Sequence, residues 1–351
     1  MSDPNTGEGC MRLNPQSTRR PDFGELPALY LPLLPAWELV ETAARKQGRS
    51  LDALRSALAG AASGDLTVEH GAPCISVDDL NAALVALPPS PEGRPTSGCG
   101  VPLRFVPQPS TRAVRAARKA RAAAAASSVG AAGSFYAQGK SLLDGDYQAR
   151  QFLKGEVLTR EANWHDLFNA LCFLSFPRTK AVLNARHFWA ADERIASLPW
   201  GASSGDGRRT PEQDYLTHFD EGGVIVASSD PTLLEALRGR RWRELFLDAR
   251  ARLPLAMEFF VFGHGIHESF LTGYRRQHAL GLAVEVDADF HSQPLGERLA
   301  RLDAAAAEAL QCRSLTCDTA VAFPVPVLGY PRWVRENEQP TFYDDPVYFR
   351  P

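Results

Sequence analysis

The stretch "VFGHGIHESF", residues 261–270, closes an apolar run with two glycines that bracket a histidine. His264 and Glu268 stand four residues apart, one helical turn, so an imidazole and a carboxylate there can share a divalent metal ion or pair as acid and base. With His267 the order is H-x-x-H-E, neither the H-E-x-x-H zincin arrangement nor its inverse, and a hydrogen bond at a helix start is the competing explanation. A second polar group lies in "NWHDLFNALCFLSFPRTKAVLNARHF", residues 163–188, where His165, Asp166, Asn169, Lys180, Asn184 and His187 interrupt phenylalanines and leucines. Asn163 suits a helix N-cap, which puts Asp166 at the third helical position with its carboxylate reaching back to the Asn163 N–H. His165 falls in the same first turn, where the helix dipole favours a neutral imidazole available as ligand or base; a histidine satisfied by a backbone carbonyl is the alternative. Lys180, Asn184 and His187 share one helical face, either a solvated stripe or the wall of a cleft.

A third group occupies "RRTPEQDYLTHFDEGG", residues 208–223. Arg208 and Arg209 stand beside a capped helix start, where guanidinium forks and free backbone N–H groups suit a phosphate or carboxylate. Thr210, Pro211 and Gln213 give that start a capping box with proline in the first turn. Asp220 and Glu221 precede two glycines and read as an acidic turn before a strand, a place where hard metal ions are also bound.

These residues need a scaffold, and its elements are legible in part. "PAWELVETAARKQGR", "SLDALRSALAG" and "SVDDLNAALVAL" carry apolar residues at helical spacing and form a small N-terminal helical part over 25–100, after a polar tail at 1–24. A Pro/Gly/Ser breaker at 88–100 ends it, and "RFVPQP" is a short extended piece. Residues 101–133 contain Arg112, Arg115, Arg118, Lys119 and Arg121 before an alanine tract, and read as a basic, Ala-rich linker or insertion. The main domain spans 134–351. In it "GGVIVASS", "AMEFFVF" and "HALGLAVEV" are strands. "FPRTKAVLNARHFWAADERI", "LLEALRGRRWRELFLDARARL" and "SQPLGERLARLDAAAAEALQC" are helices, the last capped by Ser292. The alternation gives an α/β or α+β fold: a helix-rich mixed domain around a small sheet. The closing stretch "VPVLGYPRWVRENEQPTFYDDPVYFRP" is too proline-rich for a regular helix yet rich in rings, so it wraps back over the domain, with Tyr343 offering a hydroxyl to the site.

Composition excludes several classes. A chain of 351 residues, 44% hydrophobic and 23% charged, buries a substantial core, so disorder is excluded as the main state. A net charge of -3 gives no broad basic field, so binding to nucleic-acid backbone is not indicated. No apolar window reaches a membrane span, the N-terminus lacks the apolar run of a signal peptide, and six cysteines without C-x-x-C spacing read as reduced thiols; together these predict a cytoplasmic protein.

Six pieces in order, "NWHDLFNAL", "FPRTKAVLNARH", "DYLTHFDEGG", "FGHGIHE", "VPVLGYPRWVRENEQPTFYDD" and "YFRP", resemble a bacterial family known as domain of unknown function 3025. The resemblance covers about 200 residues, from near Leu158 to Pro351. Arg332 stands where the family pattern has glycine, and Gly222 where it has asparagine. The resemblance implies no activity, but its motifs fall on the positions singled out on chemical grounds.

The leading reading is a metal-assisted hydrolase, with a phosphoester as its candidate substrate. Its divalent ion is held by His165, His264, Asp220 and Glu268, its base is Glu221 or Asp166, and Lys180 with Arg209 clamps an anion. Arg208, Asn169, Asn184 and Tyr343 complete the substrate contacts. The alternatives are a non-catalytic protein that binds a small anionic ligand, and a purely structural polar network.

Overall fold

The computed structural model describes residues 28–49, 72–88, 93–109, 147–197, 209–273, 277–311 and 322–351, with single positions at 52, 56, 112 and 116. The expected tail at 1–24, the helix "SLDALRSALAG" and the basic Ala-rich stretch 110–133 fall outside the described residues, apart from those single positions.

The fold is a helix-rich α/β mixture, with two small sheets among the described residues. Helices α1 (Leu34–Lys46) and α2 (Val77–Ala86) pack at the N-terminal end. The Ser76 hydroxyl accepts from Asp79 N and the Asp79 carboxylate accepts from Ser76 N, a reciprocal cap that fixes the start of α2. Strand β1 (Arg104–Pro107) pairs in parallel with β2 (Glu156–Thr159), which follows α3 (Tyr147–Lys154). Helices α4 (Trp164–Ser175) and α5 (Pro177–Ala196) come next, then α6 (Pro211–Gly222), whose Thr210–Gln213 capping box is present as expected. The main sheet has the order β4-β3-β5-β6, formed by β3 (Gly223–Ser228), β4 (Met257–Val261), β5 (His278–Glu285) and β6 (Ala322–Pro326). β3 and β5 are parallel, and the outer strands run antiparallel to them.

Alternation along β3 divides the interior in two. Val224 and Val226 face a core that contains α1, α2, α4 and the C-terminal stretch, while Ile225 and Ala227 face a second core built from α5, α6 and α9 (Leu295–Gln311). The N-terminal helices therefore share a core with the main sheet: Tyr30 stacks on Phe168 of α4, with ring centroids 5.9 Å apart. The start of α5 is capped from across the second core, since the Asp303 carboxylate of α9 accepts from Arg178 N at 2.9 Å and Thr179 N at 2.8 Å. Asp303→Ala removes two charge-assisted contacts at the positive end of a helix and is expected to lower stability by about 2 kcal/mol. Urea titration checks this, and an unchanged midpoint would show that water replaces the cap.

Four expectations need correction. "LLEALRGRRWRELFLDARARL" is not one helix: α7 (Pro231–Arg238) ends at Gly239, Arg240 adopts φ 52°, and a π-helical turn follows at Glu244–Asp248. The Trp242 indole N–H donates to Arg350 O at 2.6 Å, which holds this break against the C-terminal residues. "DEGG" is not a loop, because Asp220, Glu221 and Gly222 complete α6. Ser292 does not cap α9; its hydroxyl donates to Asp289 O within a 3-10 turn. Cys74 is disulfide-bonded, against the expectation of wholly reduced thiols, whereas Cys99 and Cys172 are free. No helix among the described residues is long and apolar enough to cross a membrane.

The C-terminal stretch packs on the sheet. Trp333, Tyr343, Tyr348 and Phe349 are buried, and Tyr330 lies 4.9 Å from Phe259 of β4, ring to ring. Asn337, fully buried, donates to Leu328 O and Tyr330 O and ties the stretch to itself. Arg332 takes φ 66°, a left-handed conformation that carries no steric penalty only for glycine.

Candidate metal centre

The register Val224↔Val261 sets the end of β4 beside the start of β3. Helix α6 enters β3 at that point, and β4 leaves it into α8 (His264–Leu271), so the last turn of α6 meets the first turn of α8. Two glycines permit the approach. A Cβ on Gly263 would lie 2.5 Å from Glu221 O and from Gly223 N, and one on Gly265 would lie 2.9 Å from the Glu221 Oε2. Gly263 N donates to Gly223 O at 2.9 Å, so the junction is held backbone to backbone.

This junction delivers Glu221 and His264, and α4, packed on α8, delivers His165. The His264 Nε2 lies 3.2 Å from the His165 Nε2 and 3.3 Å from the Glu221 Oε2, and the His165 Nε2 lies 3.9 Å from the Glu221 Oε1. One ligand atom from each of the three residues fits within a 4.8 Å cluster, so the group can hold a metal ion. The Glu268 Oε2 lies 2.9 Å from the His165 Nδ1. A carboxylate only accepts, so Nδ1 donates in this bond and Nε2 is the nitrogen turned toward the cluster. His264 is buried at 2% exposure with its Nδ1 unpartnered, while Glu221 and Glu268 reach solvent and leave the cluster open on one side.

Glu221 lies at the negative end of α6, where a carboxylate is disfavoured without a nearby cation. Burial works to raise its pKa, but the hydrogen bond and charge of His264 and the charge of His165 hold it below the ordinary glutamate value, against the opposing charge of Asp220. His267, one turn from His264, faces away: it stacks between Tyr30 and Phe168, and burial drives its pKa down to about 3.

Among the residues expected to form the site, His165, His264, Glu221 and Glu268 are brought together. Within the group, Glu268 meets the far nitrogen of His165, and Glu221, the residue expected as base, meets both imidazoles. Asp220 turns instead to Lys180, whose Nζ lies 2.5 Å from the Asp220 Oδ1 and 2.8 Å from the Asn169 Oδ1. Lys180 is 2% exposed and sits 4.7 Å over the Phe173 ring, so it is no clamp for an incoming anion. Burial would raise the pKa of Asp220, yet the Lys180 charge and hydrogen bond, with His264 and His187 adding, depress it. Asn169 also donates to the Tyr147 hydroxyl at 3.3 Å, and Asn184 donates to Gln148. The Lys180, Asn184 and His187 face thus looks into the interior.

Asp166 does not reach back to Asn163. It accepts from the Arg160 backbone at 2.6 Å and from the Arg160 guanidinium at 2.7 and 3.1 Å, while the Asn163 side chain caps Asp166 N. Arg209 is exposed at the far end of α6, about 18 Å of helix from Glu221. Arg208 falls outside the described residues. The Tyr343 hydroxyl donates within its own stretch, to Gly329 O or Asn337 O, and accepts from Arg250; it has no contact with the cluster among the described residues. Tyr147 and Arg160 were missed by sequence reasoning, since neither stands at helical spacing from the residues it serves.

Residues 134–351 match the family described as protein of unknown function (DUF3025). The chain belongs to this family. Every ligand atom of the cluster and all of Lys180, Asp220, Asn169 and Arg160 lie within the matched region, so the candidate centre is carried by the DUF3025 part of the chain. No curated protein and no solved structure matches the chain.

Proposed function

We propose that this DUF3025 protein is a metal-assisted hydrolase, with one divalent ion held by the His165 Nε2, the His264 Nε2 and the Glu221 carboxylate. The observation that carries the reading is the spacing of these atoms. Two ligands about 2.05 Å from a tetrahedral ion stand about 3.3 Å apart, the geometry of zinc sites with two histidines and a glutamate. The measured separations of 3.2 and 3.3 Å at His264 agree with this, and the 3.9 Å at His165 closes with a small side-chain rotation. Three protein ligands would leave room for a water, and the chemistry a divalent ion would supply there is activation of that water toward an ester, amide or phosphoester bond. Glu268, bonded to the His165 Nδ1, would fix the tautomer and orientation of that ring, as carboxylates behind metal-bound histidines do. Lys180, Asp220, Asn169, Tyr147 and Asn184 form the scaffold beneath; the burial of Lys180 and Asn184 and the hydrogen bonds of Lys180 to Asp220 and Asn169 support a structural role for that half of the polar set.

Titration of the metal-stripped protein with zinc against a chromophoric chelator should show one equivalent bound. Glu268→Gln keeps the three ligands and should weaken binding about 10- to 100-fold. Zinc uptake below a tenth of an equivalent would remove the reading, and an unchanged affinity in Glu268→Gln would remove the role given to Glu268.

A further inference from the structure

The three ligand residues come from three elements, and one buried side chain reaches a neighbour of each. Lys180 of α5 is 2% exposed, and its Nζ donates to the Asn169 Oδ1 at 2.8 Å and to the Asp220 Oδ1 at 2.5 Å. Asn169 follows His165 by one helical turn on α4, and Asp220 precedes Glu221 in the last turn of α6. The same ammonium lies 5.4 Å from the ring centroid of Phe262, two residues before His264, and 4.7 Å from that of Phe173 on α4. The Cys172 thiol of α4 donates to Phe262 O at 3.1 Å, so α4 also meets the chain that leads into α8 directly.

Helix α5 supplies none of the three ligands, so coordination by itself asks for no charge there. A buried ammonium–carboxylate pair adds little to stability over an apolar pair of similar volume, so stability does not account for it either. What the pair supplies is direction: N–H bonds to two oxygens fix the distance and angle between the helices that carry them, which apolar contact leaves adjustable. Those helices, α4 and α6, bear His165 and Glu221, the most widely spaced pair of the cluster at 3.9 Å. A metal centre holds its ligands to within about 0.5 Å, so the tie between these two helices matters to it. We propose that Lys180 is a positioning residue of the metal centre, which sets the separation of His165 from Glu221 by holding Asn169 and Asp220 at once. It acts through α4 and α6 rather than on the ion. The inference rests on the metal reading and adds to it that affinity for the ion is set partly from beneath the site. A Lys180 that served the fold alone would change zinc binding only as far as it changed stability.

Two variants of the full chain separate these roles. Lys180→Met combined with Asp220→Asn removes both charges, leaves the net charge unchanged and recovers much of the stability, yet has no bridge to Asn169. Asn169→Ala keeps the Lys180–Asp220 pair and breaks only its link to α4. Urea titration reports the stability of each, and zinc titration of the metal-stripped protein against a chromophoric chelator reports affinity. Both variants should remain folded and bind zinc at least about fivefold more weakly than the parent. A smaller loss in either folded variant overturns the positioning role and leaves the metal centre standing. If the double variant does not fold, Asn169→Ala decides alone. Failure of the parent to take up zinc overturns the metal reading and this inference with it.

Discussion

Removal of residues 330–351 abolishes cooperative folding. The segment buries Tyr330, Trp333, Tyr343, Tyr348 and Phe349, and each ring contributes about 2 kcal/mol by area. Five such rings amount to about 10 kcal/mol, as large as the whole stability of an ordinary domain. Their loss also uncovers partners: Phe246 stacks on Tyr343, Phe259 packs against Tyr330 and Trp333, and Gln277 O accepts from the Tyr348 hydroxyl. The truncated chain should show no cooperative thermal transition and should bind a hydrophobic dye. A sharp melt within a few degrees of the parent would refute the packing described. The graded variant Phe349→Ala should lose about 3 to 5 kcal/mol and keep its zinc affinity, because the stretch makes no contact with the metal cluster among the described residues.

Lys180→Met lowers stability by about 3 to 5 kcal/mol, since it leaves the Asp220 carboxylate uncompensated beside Phe262 and the sheet. Lys180→Met combined with Asp220→Asn should recover much of the loss, as removal of both charges of a buried pair generally does. The pair also sets an acid limit. The folded pKa of Asp220 lies below 3.8, the ordinary aspartate value, so its contribution is complete above that pH and disappears as the pH falls through the depressed value. In Lys180→Met the carboxylate loses the charge that depresses it, and acid unfolding should begin at a higher pH. Urea midpoints measured across about pH 2 to 7 check the sign. A single variant within about 1 kcal/mol of the parent would mean that Lys180 is solvated, the situation its expected role as anion clamp required.

Local signals carried much of the fold. Ser76 with Asp79 and Thr210 with Gln213 mark helix starts through contacts three residues apart, and the short unbroken apolar run in "GVIVAS" marks a strand buried on both faces. What sequence could not supply is the partner of each face. Lys180, Asn184 and His187 line up on α5 by periodicity alone, but periodicity is silent on whether that line meets water or Asp220. The exchange of roles between Asp220 and Glu221 has a similar origin. Read as a turn, the two acids point together; as the last turn of α6 they diverge by about 100°, one toward Lys180 and the other toward the histidines. Arg160 gave no signal because its partner Asp166 lies across a turn.

The backbone junction at Gly223 and Gly263 divides the ligand set unequally. Glu221 and His264 belong to one rigid block, because their two helices are locked through main-chain atoms that no side-chain rearrangement can separate. His165 rides on α4, a different body joined to that block by side-chain packing and by the bond to Glu268. A bound ion would therefore act as a crosslink between α4 and the sheet, tying two bodies that side-chain contacts alone now join.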